Sequence, residues 1–437
     1  MLPGGGTRDF LAEGAGLLTR RWVLPVTVVL IAGLLLAALP VRDRLLEERR
    51  KSGLKELDLS KVPPLGAAGI LLLGGFRGVA VDILWIRVLT LHQDRRYDEE
   101  IGLIELITRL QPYYISVWVF QAWNIAYNIS VQYPSPSDQW ERVKYGIDFL
   151  KRGLALNPNN GDLYFYLGLM YRDKVHQNAY FEQAMERELG ENNFESAAEY
   201  FKRARELGGV QTFAPRVVDS GVFHAYLSRT QQILERAELT DNLTFPAETL
   251  RRAQTFIDKC REESEGLQKR WPADAAFELF PARIDLVLCD GWLLQVDKIL
   301  ASGRSSDESL ARARKVLDKA LAELANYRPK YQNTHSEQVI RNRTVDAYTR
   351  IPLGIVHCVR ELVNAPSAGP AEWREGVRLL GRAESELNGV PPSVASYRDC
   401  VLLRAALLEW RTAIEDLIRK HELQGKPGPA GPGVEGK

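Results

Sequence analysis

The stretch from Tyr164 to Ala204, YFYLGLMYRDKVHQNAYFEQAMERELGENNFESAAEYFKRA, decides how the rest of the chain is read. It opens with an aromatic residue, Tyr164, and then sets Leu167, Gly168 and Tyr171 at helical spacing. It closes with Ala197, Phe201 and Ala204 at i, i+4 and i+7. Both patterns put the named residues on one helix face. Small residues at Gly168, Ala197 and Ala204 let two antiparallel helices approach closely, while a ring such as Phe201 fills the hole beside them. The expectation is a helical hairpin with an insertion, residues 172–193, between its halves. There Val175, Tyr180, Phe181, Ala184, Met185 and Leu189 mix with Lys174, His176, Glu182, Glu186, Arg187, Glu188 and Glu191. That pattern fits a two-sided helix lying over the array, or a lid that touches a partner.

The same spacing recurs upstream. Gly146, Leu150, Gly153 and Pro158 give small, large, small and proline, with Trp118, Ala122 and Ile125 supplying the helix before them. One unit earlier, Ile104, Ile107 and Pro112 come after the apolar run Leu84 to Leu91. Pro112 and Pro158 stand 46 residues apart, where an unbroken array has a period of about 34, so an insertion of roughly 12 surrounds Pro134. Downstream the signal thins to single helices at Ala253, Ile257 and Cys260, at Ala313, Leu317 and Ala320, and at Gly376, Leu380 and Ala383. Asp138 after Pro134 to Ser137, and Ser305 with Glu308, read as helix starts.

Three overlaid units of this kind resemble tetratricopeptide repeats. The resemblance is firm over residues 83–208 and looser over 209–423. Gly75 to Gly78, Asp82 to Trp85 and Trp123 to Ser130 look like a narrower group, the membrane-anchored bacterial tetratricopeptide-like proteins of unsettled activity. The resemblance implies an all-α fold, an α-α superhelix or solenoid. It also implies protein association beside a membrane, with no catalytic residues to carry over.

The anchor is read from the N-terminal part. After a short tail, residues 1–21, the 20 residues from Trp22 to Val41 hold no charge. As a helix they reach about 30 Å, the hydrocarbon thickness of a bilayer. A signal peptide would need small residues at its cut, which the sequence Ala37, Ala38, Leu39, Pro40 does not space correctly. A single-pass transmembrane helix is therefore expected over residues 22–41. A charged juxtamembrane linker (42–62) of mixed sign comes next, then an apolar Gly- and Ala-rich segment (63–82) that is interfacial or buried. Lys and Arg are denser after the helix, which favours a cytoplasmic solenoid; Arg20 and Arg21 beside a short tail argue for the extracytoplasmic side, and the sidedness stays open. The Gly- and Pro-rich residues 424–437 read as a disordered tail.

Composition narrows the function. The chain has 437 residues, 45% of them hydrophobic, and 57 Lys and Arg against 56 Asp and Glu leave a net charge of +1. That balance gives no electrostatic case for nucleic acid. Cys260, Cys289, Cys358 and Cys400 are too far apart in sequence for a metal or redox motif, and the six histidines never pair at i, i+4. No phosphate loop, H-E-x-x-H or G-x-S-x-G is present. No cofactor, metal or enzymatic activity is expected.

What remains is an aromatic stripe. In a tetratricopeptide-like array the first helices line the concave face. The groove-facing offsets select Trp85 with Ile86 and Leu89, then Phe120, Trp123 and Tyr127 with Val119, then Phe165, Tyr166 and Leu169. Such rings suit an apolar or amphipathic peptide; packed inward, the same stripe would be core. Family members that grip a C-terminal carboxylate use Lys, Asn and Arg on this face, and here only Arg172 is near. The expected function is a membrane-anchored scaffold or adaptor that binds a protein or peptide partner. The alternatives are a membrane-bound enzyme with its site in an α-helical cleft, and an accessory subunit of a transporter or secretion complex.

Overall fold

Gly, Pro and Asn breaks punctuate the sequence, and helices fill the intervals between them. The computed structural model describes Arg44 and residues 77–303, 306–365 and 368–424, and among these every regular element is helical. The expected spanning helix (22–41), most of the apolar segment (63–76) and the tail from 425 lie outside the described residues. Among those described, no helix is long and apolar enough to cross a membrane.

The chain divides after Pro112 into two units, a boundary that falls inside the run 83–208. In the first unit α1 (Arg77–Gln93) pairs with α2 (Tyr97–Leu110), and Arg95, at φ 58°, turns the chain between them. Val81, Val88 and Leu91 of α1 and Ile101, Ile104 and Ile107 of α2 are buried. The other face of α1 carries exposed Val79, Ile83, Ile86 and Leu89.

In the second unit α3 (Ile115–Trp123) runs into a π-helical stretch (Asn124–Ile129) and a 3₁₀ turn (Ser130–Gln132), then α4 (Pro136–Leu156). The pattern repeats in α5 (Gly161–Leu169), with a π-helical stretch (Met170–Lys174) and a 3₁₀ turn (Val175–Gln177) before α6 (Ala179–Leu189) and α7 (Asn193–Leu207). Next come α8 (Pro215–Glu235), α9 (Ala247–Arg270), the short α10 (Ala275–Glu278) and α11 (Phe280–Asp285), and α12 (Val287–Gly303). Last are α13 (Asp307–Tyr331), α14 (Glu337–Val363), α15 (Pro370–Asn388), the short α16 (Pro392–Ala395) and α17 (Arg398–Gln424). Within this unit each long helix packs on its sequence neighbours: α3 on α4, α5 on α7, α7 on α8, α8 on α9, and α12 through α15 in succession. That is an α-solenoid-like arrangement, in which every hairpin buries its apolar face against the next.

Two helix starts differ from the sequence reading. Ser135, not Asp138, caps α4, its Oγ accepting from the Asp138 backbone N–H at 3.1 Å, because Pro136 with its fixed φ already fits the first helical turn. Ser306 caps α13 through the Ser309 N–H at 3.2 Å, and Ser305, the expected cap, lies outside the described residues. The 172–193 insertion does form a helix, α6, with Phe181, Ala184 and Met185 buried and Gln183 and Arg187 exposed.

Packing obeys the small-and-large rule. Phe201 of α7 is wholly buried, pressed against both Gly168 of α5 and Gly221 of α8; a Cβ at either glycine would lie 2.6 and 2.7 Å, respectively, from its ring. The Trp118 ring covers Gly153 in the same way, at 2.7 Å from a notional Cβ. Burial of one such ring contributes about 2 to 3 kcal/mol. Farther along, side chains hold the segment that leaves α8. Gln295 Nε2 donates to the carbonyl oxygens of Leu234, Glu235 and Ala237, Lys298 Nζ to those of Glu235 and Ala237, and Lys319 Nζ to those of Asn242 and Leu243.

Candidate functional site

The residues of α3 separate by face. Val117, Trp118, Gln121 and Ala122 point inward and are buried. Ile115, Ser116, Val119, Phe120 and Trp123 share the outer face, where Phe120 is 55% exposed and Trp123 36%. Helical period alone produces the split. In the π-helical continuation Tyr127 stacks on Trp123, with ring centroids 3.8 Å apart and planes 10° from parallel. Behind it, Lys174 Nζ lies 5.0 Å from the Tyr127 centroid and donates to Gln177 Oε1 at 3.2 Å. Burial pushes the Lys174 pKa down and the Tyr127 pKa up.

Opposite this face stands the start of α5. Asn160 Oδ1 caps it through the Leu163 N–H at 3.0 Å. Gly208 and Gly209, at φ 66° and 69°, take the left-handed turn that side chains disfavour, and the chain folds back so that Gln211, Thr212 and Phe213 cover the start of α5. Asp162 holds that return: its Oδ1 accepts from the backbone N–H of Gln211 at 3.1 Å, that of Thr212 at 3.4 Å and the Thr212 hydroxyl at 3.1 Å. The Phe213 ring then rests 4.7 Å from Phe165 and 5.8 Å from Tyr166.

These parts enclose an open cleft of about 640 Å³. Ile115, Val119, Phe120, Trp123, Tyr166 and Phe213 make its apolar walls; Ser116, Asn160, Asp162, Gln211 and Thr212 supply polar groups. A second opening of similar volume, beside Arg229 and Arg236, has the opposite character. Two of its three arginines are committed to carboxylates, Arg229 to Glu195 at 2.8 Å and Arg236 to Glu182 and Glu186 at 2.7 Å each, and Arg252 completes its polar rim.

Of the stripe read from sequence, Phe120, Trp123 and Tyr166 line the cleft, and half-buried Tyr127 supports it from behind. Phe165 and Leu169 do not belong there. Phe165 is 1% exposed and packs on Phe201 at 5.3 Å and on Phe213, and Leu169 is buried too. The cause is angular: adjacent helical residues point about 100° apart, and with Tyr166 facing out, Phe165 turns inward. Trp85 is half-buried on α1, in the other unit. Arg172 is bonded to Asp173 at 2.6 Å, and its guanidinium lies 5.4 Å from the Phe201 ring centroid. The sequence reading missed Asp162, Gln211, Thr212 and Phe213. The Gly208–Gly209 pair, a turn signal shortly before an aromatic residue, was the mark that could have found them.

Groups whose ionisation is strongly shifted stand outside the cleft. Burial pushes His224 down to about 4 and Asp290 up to about 6, the latter against the pull of Arg343 2.7 Å away. Among the described residues no group of three or more His, Cys, Asp or Glu side chains is placed to hold a metal ion. Cys260 and Cys289 are buried, with thiols pushed up to about 12 by burial. The cleft is therefore equipped to bind by ring stacking, apolar contact and hydrogen bonding. Compared with known proteins, the chain matches no family model, no curated protein and no solved structure.

Proposed function

We propose that this chain is a membrane-anchored scaffold, a tetratricopeptide-like solenoid that seats an apolar or amphipathic segment of a protein partner in the aromatic cleft. The observation that carries the reading is the cleft itself. Large rings cost the chain solvation when left exposed, and Phe120 and Trp123 are exposed side by side on a helix whose other face is full core. Aromatic residues of this kind dominate binding energetics because they bury much area for little rotamer entropy. The membrane part is supported by the uncharged run Trp22 to Val41 and by the apolar outer face of α1, Val79, Ile83, Ile86 and Leu89. Density of Lys and Arg after that run favours a cytoplasmic solenoid.

Two measurements test the two halves. A photo-crosslinking residue at Val119 in the full-length chain, expressed in its native membrane, is expected to capture one protein repeatedly through an apolar or amphipathic segment. Capture no different from the same probe at exposed Leu402 removes the cleft as the site of association. The full chain is expected to resist alkaline carbonate washing, and Val28→Lys with Leu35→Lys to release it. Equal retention of both removes the anchor.

A further inference from the structure

The cleft has a sign. Among the described residues that line it, Asp162 carries the one carboxylate and no Lys, Arg or His is present; the rest are aromatic, aliphatic, hydroxyl or amide groups. We propose that the partner enters this cleft with a lysine or arginine side chain, whose cation seats between the aromatic walls and the Asp162 carboxylate, so that the ligand is a cationic amphipathic peptide segment. The proposal rests on the reading of the cleft as the partner's seat and adds the chemistry that the seat selects.

Three features argue for it. First, Asp162 is only 8% exposed. The three bonds it accepts, from Gln211 N–H, Thr212 N–H and Thr212 Oγ1, all land on Oδ1 and all come from neutral donors. They fix the carboxylate without cancelling its charge, and Oδ2 is the atom we assign to the incoming cation. Second, aromatic π faces attract cations through the ring quadrupole, more strongly where water is thinned out, and Phe120, Trp123, Tyr166 and Phe213 line the same cleft as the acid. The molecule already uses this pairing next door, where Lys174 lies over the ring of Tyr127, itself stacked on Trp123. Third, the anion-attracting N-terminus of α5 is answered by the chain's own groups: Asn160 takes the Leu163 N–H, and Asp162 places its negative charge in the first turn. An acidic ligand would meet that carboxylate with no lining cation to offset it, whereas a Lys or Arg stem can lie along the apolar wall with its head at the acid.

The test uses the full-length chain in mild detergent and a short Leu- and Ala-based amphipathic peptide with one central position varied: Lys, norleucine or Glu. Calorimetric titration is expected to rank them Lys, norleucine, Glu, with Lys about 10-fold or more tighter than norleucine. In Asp162→Asn, whose amide oxygen can accept the same three bonds, the Lys preference should fall below about 3-fold while norleucine binding persists. Trp123→Ala should weaken all three. Equal affinity for Lys and norleucine in the parent chain, or a preference for Glu, overturns the cationic ligand. If Trp123→Ala still weakens binding in that case, the cleft stands as a neutral groove. Binding of all three that ignores Trp123→Ala, or no binding of any, removes the cleft as a seat and this inference with it. The ranking on the parent chain decides even where Asp162→Asn folds poorly.

Discussion

The segments Ile115–Gln132 and Gly161–Gln177 are built alike, yet they end in opposite roles. Each is a nine-residue helix that loosens into a π-helical stretch and tightens into a 3₁₀ turn. Each carries aromatic residues on both faces. In α3 the outer rings stay at the surface and form a cleft wall. In α5 Phe165 is sealed between Phe201 and Phe213, and Tyr166 faces the cleft. The difference comes from downstream chain. After α7 the glycine pair turns residues 211–213 back onto α5, where Phe213 closes over Phe165. An aromatic stripe is groove or core according to the chain that returns to it.

Mutations can break this comparison, and the largest effect belongs at Phe165. Phe165→Ala should cost about 3 to 5 kcal/mol of folding stability, the range for emptying a buried ring, while Phe120→Ala should cost less than about 1 kcal/mol, as surface changes do. Chemical denaturation of the two variants compares them directly, and similar midpoints would erase the distinction between the helices. Next in size is Gly168→Leu, which overpacks the Phe201 ring and should destabilise by about 1 to 3 kcal/mol. Gly266 of α9 has open space around it, so Gly266→Ala should stabilise by about 0.4 to 1 kcal/mol, and a thermal melt with the reverse order would refute the close-approach reading. Trp123→Ala comes third: losing one stacked, part-exposed ring should lower stability by no more than about 1.5 kcal/mol. Partner capture should fall roughly 30-fold, the usual effect of truncating a large interface aromatic. Unfolding that accounts for the lost capture would return Trp123 to the core.

The smallest effect sharpens the comparison at the turn after α5. His176 Nδ1 pairs with Glu182 at 2.7 Å, and that bond raises the histidine pKa above its ordinary value. A raised folded-state pKa stabilises fully below about 6.5 and loses its contribution as pH climbs through the raised value. The side chain is 53% exposed, so the gain is only about a few tenths of a kcal/mol after solvent screening. Melting curves of the parent and His176→Gln should differ at pH 5.5 and converge above about pH 8. A gap that widens with pH would mean the pair has been read with the wrong sign.

Much of the fold was legible because close packing leaves a spacing behind. Tyr164 to Ala204 put Gly168 against Phe201, and the contact is there; the Trp118 and Gly153 spacings likewise mark a ring lying over a glycine. Downstream triplets such as Ala253, Ile257 and Cys260 are buried as their period suggested. Their first helices went unseen because α8 and α12 are long, with apolar residues spread around more than one face. The cleft was half legible. Phe120, Trp123 and Tyr166 announce themselves by residue type, but the facing of Phe165 depended on an angle that a repeat template fixes only to within one residue. Asp162 gained its place through bonds to residues about 50 positions away, which no local pattern encodes.

The contacts of Gln295, Lys298 and Lys319 with the carbonyl oxygens of residues 234–243 bear on how the protein could be dissected. A fragment that stops short of α12 would leave those oxygens without their donors, and one that begins at α12 would carry a buried amide and two lysines with nothing to grip. The connector between α8 and α9 looks like a natural cutting point by its length, yet it is stitched from behind by helices that come more than 50 residues later. Working fragments should therefore keep residues 215–331 whole, and a protease should find that connector harder to nick than its sequence suggests.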